Sequence, residues 1–306
     1  MPELPDVTVY CERLAALAGG ARLERIRLAS PFLLRTVDPP LATAEGRRLL
    51  GVERLGKRVV LALEGELFLA VHLMIAGRLR WRPAGAALPA RDGLCALDFE
   101  LGTLLLTEAS KKRRASLHAL QGRAALAALH QPGLEPLEAD LPAFREALLR
   151  ENRTLKRALT DPRLFSGIGN AYSDEILFEA RLSPMKLTSR LAEDEIGRLH
   201  EATGAVLRRF TARIRAEVGD GFPEKVTAFR EDMAVHGRHR QPCTRCGAEV
   251  QRILYAENEC DYCAACQNQG RLLADRALSQ LLKKDWPRTL EELELCRTLG
   301  PARGRR

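Results

Sequence analysis

A secondary amine one residue from the start of the chain is the first group able to do chemistry. The sequence opens Met1-Pro2-Glu3-Leu4-Pro5-Asp6-Val7, so removal of the initiator methionine would make the ring nitrogen of Pro2 the N-terminus. An α-amine titrates near ~7.7–8.0, which leaves part of it neutral and nucleophilic around pH 7. Its attack on a sugar aldehyde carbon would give an iminium, necessarily cationic and a strong electron sink. Glu3, beside it, is placed to give or take a proton during ring opening.

A second reactive set lies far along the chain. Of eight cysteines, five fall between Cys243 and Cys266. Cys243-Thr244-Arg245-Cys246 and Cys263-Ala264-Ala265-Cys266 are two CxxC knuckles at zinc-ribbon spacing, which predicts one structural Zn2+ held by Cys243, Cys246, Cys263 and Cys266. Four thiolates leave no open position for chemistry. Cys260-Asp261-Tyr262-Cys263 is a competing register, and His236 and His239 are further candidate ligands. The chain has no apolar signal segment and no run long enough to cross a bilayer, which predicts a cytoplasmic protein with reduced thiols that bind metal rather than pair as disulfides.

These groups need elements to hold them. Pro5 suits the first turn of a helix and Asp6 complements the positive end of its dipole; Val7, Tyr10, Leu14 and Leu17 recur at helical spacing. Short runs broken by turn signals follow, predicting strands at Arg22–Leu28, Leu49–Leu55, Arg58–Leu63, Leu67–Leu79, Cys95–Leu101 and Thr103–Thr107. Many short strands and one long helix indicate a β-sandwich rather than a parallel α/β sheet. Leu55-Gly56-Lys57-Arg58 sets a lysine on a sharp turn between two strands.

Beyond Gly133-Leu134-Glu135-Pro136-Leu137, a linker, the pattern is helical: Leu141–Arg150, Thr154–Thr160, Ala171–Glu179 and a long helix around Ala192–Val218. Gly167-Ile168-Gly169-Asn170 turns tightly into the third of these, whose N-terminal N–H groups would face an anion. Arg208, Arg209, Arg213 and Arg215 read as a solvated face of the long helix. After the cysteines, Leu272–Leu282 and a helix capped by Thr289 and running through Leu295 are predicted to dock on the body, with Pro301–Arg306 a basic tail. A net charge of +8 suits a nucleic-acid partner.

Taken together, the N-terminal heptapeptide, the Gly-x-Gly-Asn turn and the terminal knuckles resemble the formamidopyrimidine-DNA glycosylase and endonuclease VIII family over roughly Met1 to Gln267. That family begins Pro-Glu-Leu-Pro-Glu-Val, has a helix–two-turn–helix motif matching Asn170, Tyr172 and Glu175, and closes with the Tyr-Cys-x-x-Cys-Gln matched by Tyr262 through Gln267. The resemblance favours the later cysteine pair. It implies a multidomain α+β fold: an N-terminal helix and catalytic β-sandwich (1–132), a helix–two-turn–helix DNA-binding domain (133–238), a zinc finger (239–268) and a helical extension (269–306). It implies a bifunctional DNA glycosylase and AP lyase acting as a monomer on damaged DNA, with Pro2 as nucleophile, Glu3 as acid and Lys57 on the phosphate beside the lesion.

By the same resemblance Lys156 and Asn170 grip phosphate. Ile75, within His72-Leu73-Met74-Ile75-Ala76-Gly77, aligns with an apolar wedge, and Met74 beside it is the alternative. Arg113 and Arg114 answer to the family's Asp-Pro-Arg-Arg-Phe-Gly loop, with Ala115 where that Phe stands. Arg238 follows His236-Gly237 in place of Tyr-Gly, and Asn258 occupies the position of a phosphate-binding Arg at the ribbon tip. Gly221–Thr227 lies where relatives carry a loop over the flipped base. Two other readings compete: a non-catalytic binder of damaged or single-stranded DNA on the same scaffold, and a zinc-ribbon transcription factor, which leaves the N-terminus unexplained.

Overall fold

The structure, a computed structural model, describes residues 1–129, 133–224, 230–255, 258–274 and 287–299. The chain divides into two compact units, Met1–Pro132 with Leu207–Ala228, and Gly133–Val206 with Phe229–Arg306.

The first unit is built on two four-stranded antiparallel sheets. One has the order β1 (Leu23–Leu28), β6 (Gly93–Phe99), β7 (Gly102–Glu108), β5 (Gly77–Arg82); the other runs β2 (Leu49–Leu55), β3 (Arg58–Leu63), β4 (Leu67–His72), β8 (Ser116–Gln121). Side chains alternate across a strand, and both faces of the second sheet are covered. Val59, Leu61 and Leu63 point into the main core with Leu69, Leu97, Leu104 and Leu106, joined there by Val7, Tyr10 and Leu14 of helix α1 (Leu4–Ala18). Val60, Phe68 and Ala70, on the opposite face, pack under Leu126 of helix α2 (Arg123–Leu129). This double burial explains why β3 and β4 read as nearly unbroken apolar runs.

The sequence pattern joins Leu67–Leu79 into one strand, but the chain breaks there into β4 and β5. Met74 sits at φ +52°, and Gly77 closes the turn by donating its N–H to Leu73 O at 2.9 Å. A Cβ on Gly77 would lie 2.3 Å from that oxygen, so the position admits glycine only. Because the turn residues Leu73-Met74-Ile75-Ala76 are apolar, nothing polar marks it. Strand β8 and helix α2 are likewise elements that the pattern does not predict.

The second unit holds helices α3 (Leu141–Leu149), α4 (Leu155–Thr160), α5 (Asn170–Glu179) and the start of α6 (Glu193–Val218), then hairpin β9 (Val250–Tyr255) and β10 (Asn258–Cys263), helix α7 (Ala264–Asn268) and helix α8 (Leu290–Leu299). Helix α6 is shared, since its residues from Leu207 onward group with the sheets. Thr289 caps α8 by accepting the Glu292 N–H at 3.2 Å. Leu272, Leu273 and Leu290 cover Ile253, Cys260 and Tyr262 on the back of the hairpin, and Arg297 forks onto Glu249 at 2.6 and 2.9 Å. Most of the expected Leu272–Leu282 helix, the basic tail and Lys225–Thr227 lie outside the described residues.

Candidate active site

The N-terminus is held by the helix it starts. Glu3 is the N-cap of α1, in a reciprocal capping box with Asp6, whose carboxylate accepts the Glu3 N–H at 2.9 Å. Glu3 and Asp6 are buried, as is Pro2. Burial lowers the pKa of the Met1 amine, Glu3 and Asp6 oppose the shift, and Arg78 and Lys57 reinforce it. An amine placed here is therefore biased toward its neutral, nucleophilic form.

Strand register explains where Lys57, Ile75, Arg113 and Arg114 of the same unit lie. Arg58 pairs with His72, and His72 with Ser116, so the Gly56-Lys57 turn, the end of β4 and the start of β8 share one rim of the second sheet. Gly77 pairs with Glu108 at the matching end of the first sheet. Residues 72–77 and 108–116 are thus two crossovers running side by side between the sheets, one carrying Ile75 and the other Arg113 and Arg114. Lys57 is half-buried, whereas Arg113 and Arg114 are exposed. Ile75 stands 58% exposed at the tip of its turn while Met74 is half-buried, so Ile75 is the side chain presented. Arg78 secures this turn, donating to the carbonyls of Ile75 at 3.2 Å and Gly77 at 2.7 Å. Ala115, at the position of the family's Phe, is buried in the core.

His72, to which the sequence pattern assigns no role, accepts the Met74 N–H on Nδ1 at 3.3 Å. Burial, with Arg58, Lys57 and His118 nearby, pushes its pKa down from 6.5 to about 4. The native site binds the proton more weakly than the unfolded chain. The stability tied to neutral His72 is therefore present above about pH 6.5 and is lost as pH falls toward about 4. At pH 5 this group alone should lower stability by about 2 kcal/mol relative to pH 7. Urea midpoints at the two pH values check this, and His72→Gln, which keeps an acceptor without a titrating ring, should remove that share of the pH dependence.

In the second unit, Gly167 turns the chain at φ +79° into α5, while Gly169, its N-cap, is extended and uses no glycine-only conformation. Asn170 is half-buried at the head of the helix. The resemblance matches Lys156 to the family's lysine in the phosphate grip. Lys156 is 2% exposed, and its ammonium donates inward to Asn170 O and Asp174 Oδ1, both at 2.6 Å. A charge so enclosed needs its carboxylate partner, and what it reaches is the back of the Asn170 turn.

Asp174 joins that turn to the cysteine-bearing segment. Its Oδ2 lies 2.8 Å from His236 Nδ1 and accepts the Asp261 N–H at 3.2 Å; Asp261 Oδ2 in turn accepts the Gly237 N–H at 2.7 Å. Burial alone would lower the pKa of His236, but the hydrogen bond and charge of Asp174 outweigh it and raise it. The adjacent Glu175 accepts three successive backbone N–H groups, from Ala234, Val235 and His236, at 2.8, 2.9 and 3.0 Å. Burial raises the Glu175 pKa against these three donors. Asp174 and Glu175 pin residues 234–236 to α5. The sequence pattern uses Glu175 as a family marker and does not single out Asp174; the available signal is an Asp-Glu pair set directly before the apolar run Ile176-Leu177-Phe178.

The sulfurs of Cys243, Cys246, Cys263 and Cys266 all lie within 4.8 Å of one another, with Cys243–Cys266 at 4.0 Å and Cys246–Cys263 at 3.5 Å. Tetrahedral thiolate ligands at ~2.3 Å from an ion stand ~3.8 Å apart, so these four can hold a metal ion. Alternation along β10 settles the register: Cys260 and Tyr262 face the apolar back of the hairpin, Cys263 the other side. His236 is engaged by Asp174, and His239 Nδ1 lies 2.9 Å from Arg252. Half-buried Arg238 reaches Pro242 O at 3.4 Å. No described helix is long and apolar enough to cross a membrane.

Two family models match the chain, the formamidopyrimidine-DNA glycosylase N-terminal domain over residues 1–119 and the formamidopyrimidine-DNA glycosylase H2TH domain over residues 132–217. The formamidopyrimidine-DNA glycosylase of Roseiflexus sp. (strain RS-1) is 34% identical over 275 residues, spanning 87% of this chain and all of that protein. The crystal structure of the Thermus thermophilus protein superposes with a TM-score of 0.72 at 34% identity, covering 87% of this chain and 98% of that one. The Lactococcus lactis protein, solved with DNA containing an oxidised pyrimidine, superposes with a TM-score of 0.76 at 26% identity over 87% of this chain and all of that one. With the N-terminal helix and sandwich, the Asn170 turn and the cysteine cluster in their expected order, the chain belongs to the formamidopyrimidine-DNA glycosylase family.

Proposed function

We propose that this chain is a bifunctional DNA glycosylase and AP lyase that excises oxidised bases from damaged DNA. The observation that carries the reading is the buried N-terminal site, where Glu3, Asp6, Lys57 and Arg78 all act on the terminal amine. After loss of Met1, the Pro2 nitrogen attacks C1′ of the damaged nucleotide and the base departs with a proton. Glu3 protonates the ring oxygen, the sugar opens, and the bond from nitrogen becomes an iminium. The iminium acidifies the C2′ proton; its removal expels the 3′ phosphate, a further elimination expels the 5′ phosphate, and water releases Pro2.

In this reading Lys57 and Asn170 hold the flanking phosphates, as a compact charge and a helix N-terminus are suited to do. Lys156 sets Asn170 from behind. Ile75 fills the space left by the displaced base, and Arg113, Arg114 and Arg238 contact the backbone. One structural zinc ion occupies the four cysteines and stabilises the ribbon without entering the chemistry. The protein works as a monomer in the cytoplasm.

Borohydride trapping on abasic-site DNA tests the reading. The natural chain should yield a covalent adduct mapped by mass to Pro2, and Pro2→Gly should lower its rate of formation by at least about 100-fold. No adduct, with Met1 removed and DNA binding intact, would leave a non-catalytic binder of damaged DNA as the better account.

A further inference from the structure

The crossover 108–116 begins with a buried carboxylate, Glu108, that the proposed chemistry leaves unused. Lys111, Lys112, Arg113 and Arg114 are four consecutive cations, all exposed, and residues 109–115 contain no acid. Such a run repels itself and would ordinarily spread into solvent. Here it is drawn into a defined turn. Ser110 accepts the Lys112 N–H on Oγ at 3.2 Å and the Arg113 N–H on its carbonyl at 3.3 Å. Arg113 adopts φ +36° and donates to Arg91 O at 2.9 Å.

The far end is closed by Glu108. Only 3% exposed, it places one carboxylate oxygen on the Arg114 N–H and the other on the Ala115 N–H, each at 3.0 Å. Its own N–H is bound by Asp92 O at 2.8 Å, and its backbone pairs with Gly77. One buried side chain therefore fixes both ends of the loop and ties it to the strand that ends the Ile75 turn.

We propose that Glu108 is the positioning residue of a phosphate clamp formed by Arg113 and Arg114, with a nucleic-acid backbone phosphate as its ligand. Two neighbouring planar guanidinium forks match phosphate oxygens, and a loop already held in place loses little freedom on binding. The proposal rests on the DNA reading above and deepens it. It separates the group that shapes the clamp from the groups that touch DNA.

The test compares the natural protein with Glu108→Gln, Glu108→Ala, the pair Arg113→Ala/Arg114→Ala, and Glu108→Gln combined with that pair. Binding to a duplex carrying a tetrahydrofuran abasic analogue is read by anisotropy across a salt series. The log–log salt slope should shrink by about two for Glu108→Gln and by the same for the arginine pair, since each lost phosphate contact removes roughly 0.9. The combined variant should lose no more than either parent. A slope unchanged in Glu108→Gln, or losses that add in the combined variant, would overturn the proposal, because a generally weakened fold lowers affinity without altering the slope.

Glu108→Gln keeps the volume and one acceptor, so it serves where Glu108→Ala fails to fold. Hydrogen exchange on the natural protein decides independently of any variant: Arg114 and Ala115 amides should be protected, and exchange at unstructured rates would also overturn the proposal. Absence of salt-dependent binding by the natural protein would instead sink the DNA reading, and is seen before any variant is compared.

Discussion

Asp174→Asn should destabilise the second unit by about 3–5 kcal/mol, because it leaves the Lys156 ammonium buried without its carboxylate. Asparagine keeps the shape and one acceptor oxygen, so the loss reports charge rather than a cavity. Lys156→Met alone should also be costly, since it strands Asp174 inside the protein. The double variant Asp174→Asn/Lys156→Met should recover much of the loss, as a buried pair replaced by neutral groups often does. Urea unfolding followed by exchange of the α5 amides measures the series. A single-variant loss under about 1 kcal/mol would mean that this cluster is not the bolt it looks like. The same variant should weaken binding at the Asn170 turn, because the Lys156 ammonium holds the Asn170 carbonyl from behind.

Glu3→Gln should reduce base excision by about 100- to 10,000-fold, the range supplied by a positioned general acid. Its effect on trapping at a preformed abasic site should be much smaller. There the base is already gone and part of the sugar is already the open aldehyde, so ring protonation is not demanded of the enzyme. Single-turnover excision and borohydride trapping, run on the same preparation, separate the two steps. Equal losses in both assays would point to a misplaced Pro2 instead of a missing proton. Glutamine still accepts a hydrogen bond at the head of α1, so the helix cap opposite Asp6 largely survives and stability should change by less than about 1 kcal/mol.

Much of this site is legible in residue order. Pro5 and Asp6 announce the start of α1, and alternation with glycine punctuation locates β2 and β3 to the residue. The long helix and the Asn170 turn follow from apolar spacing and from Gly167. What escapes notice shares one physical cause. A sequence pattern records whether a side chain is polar, but not whether that polarity faces water. Lys156 is matched to a phosphate grip and is enclosed beside Asp174; Glu108, to which the pattern assigns no role, bonds the far end of its loop. The turn at Met74 is hidden for the converse reason, since its residues are apolar and its geometry is set by Gly77 and by the carbonyls that Arg78 secures. Long-range polar pairings such as His236 with Asp174 have no signature in spacing.

The back of the ribbon hairpin is closed by residues that come after it: Leu272, Leu273 and Leu290, with Arg297 locked to Glu249. During synthesis, the knuckles can be made and can meet metal while that face is still bare, since Cys266 precedes Arg297 by 31 residues. The ribbon therefore needs residues well past its own cysteines before its back is covered. Until residue 299 has been made, a nascent molecule carries a completed N-terminal unit and a sticky, half-finished grip.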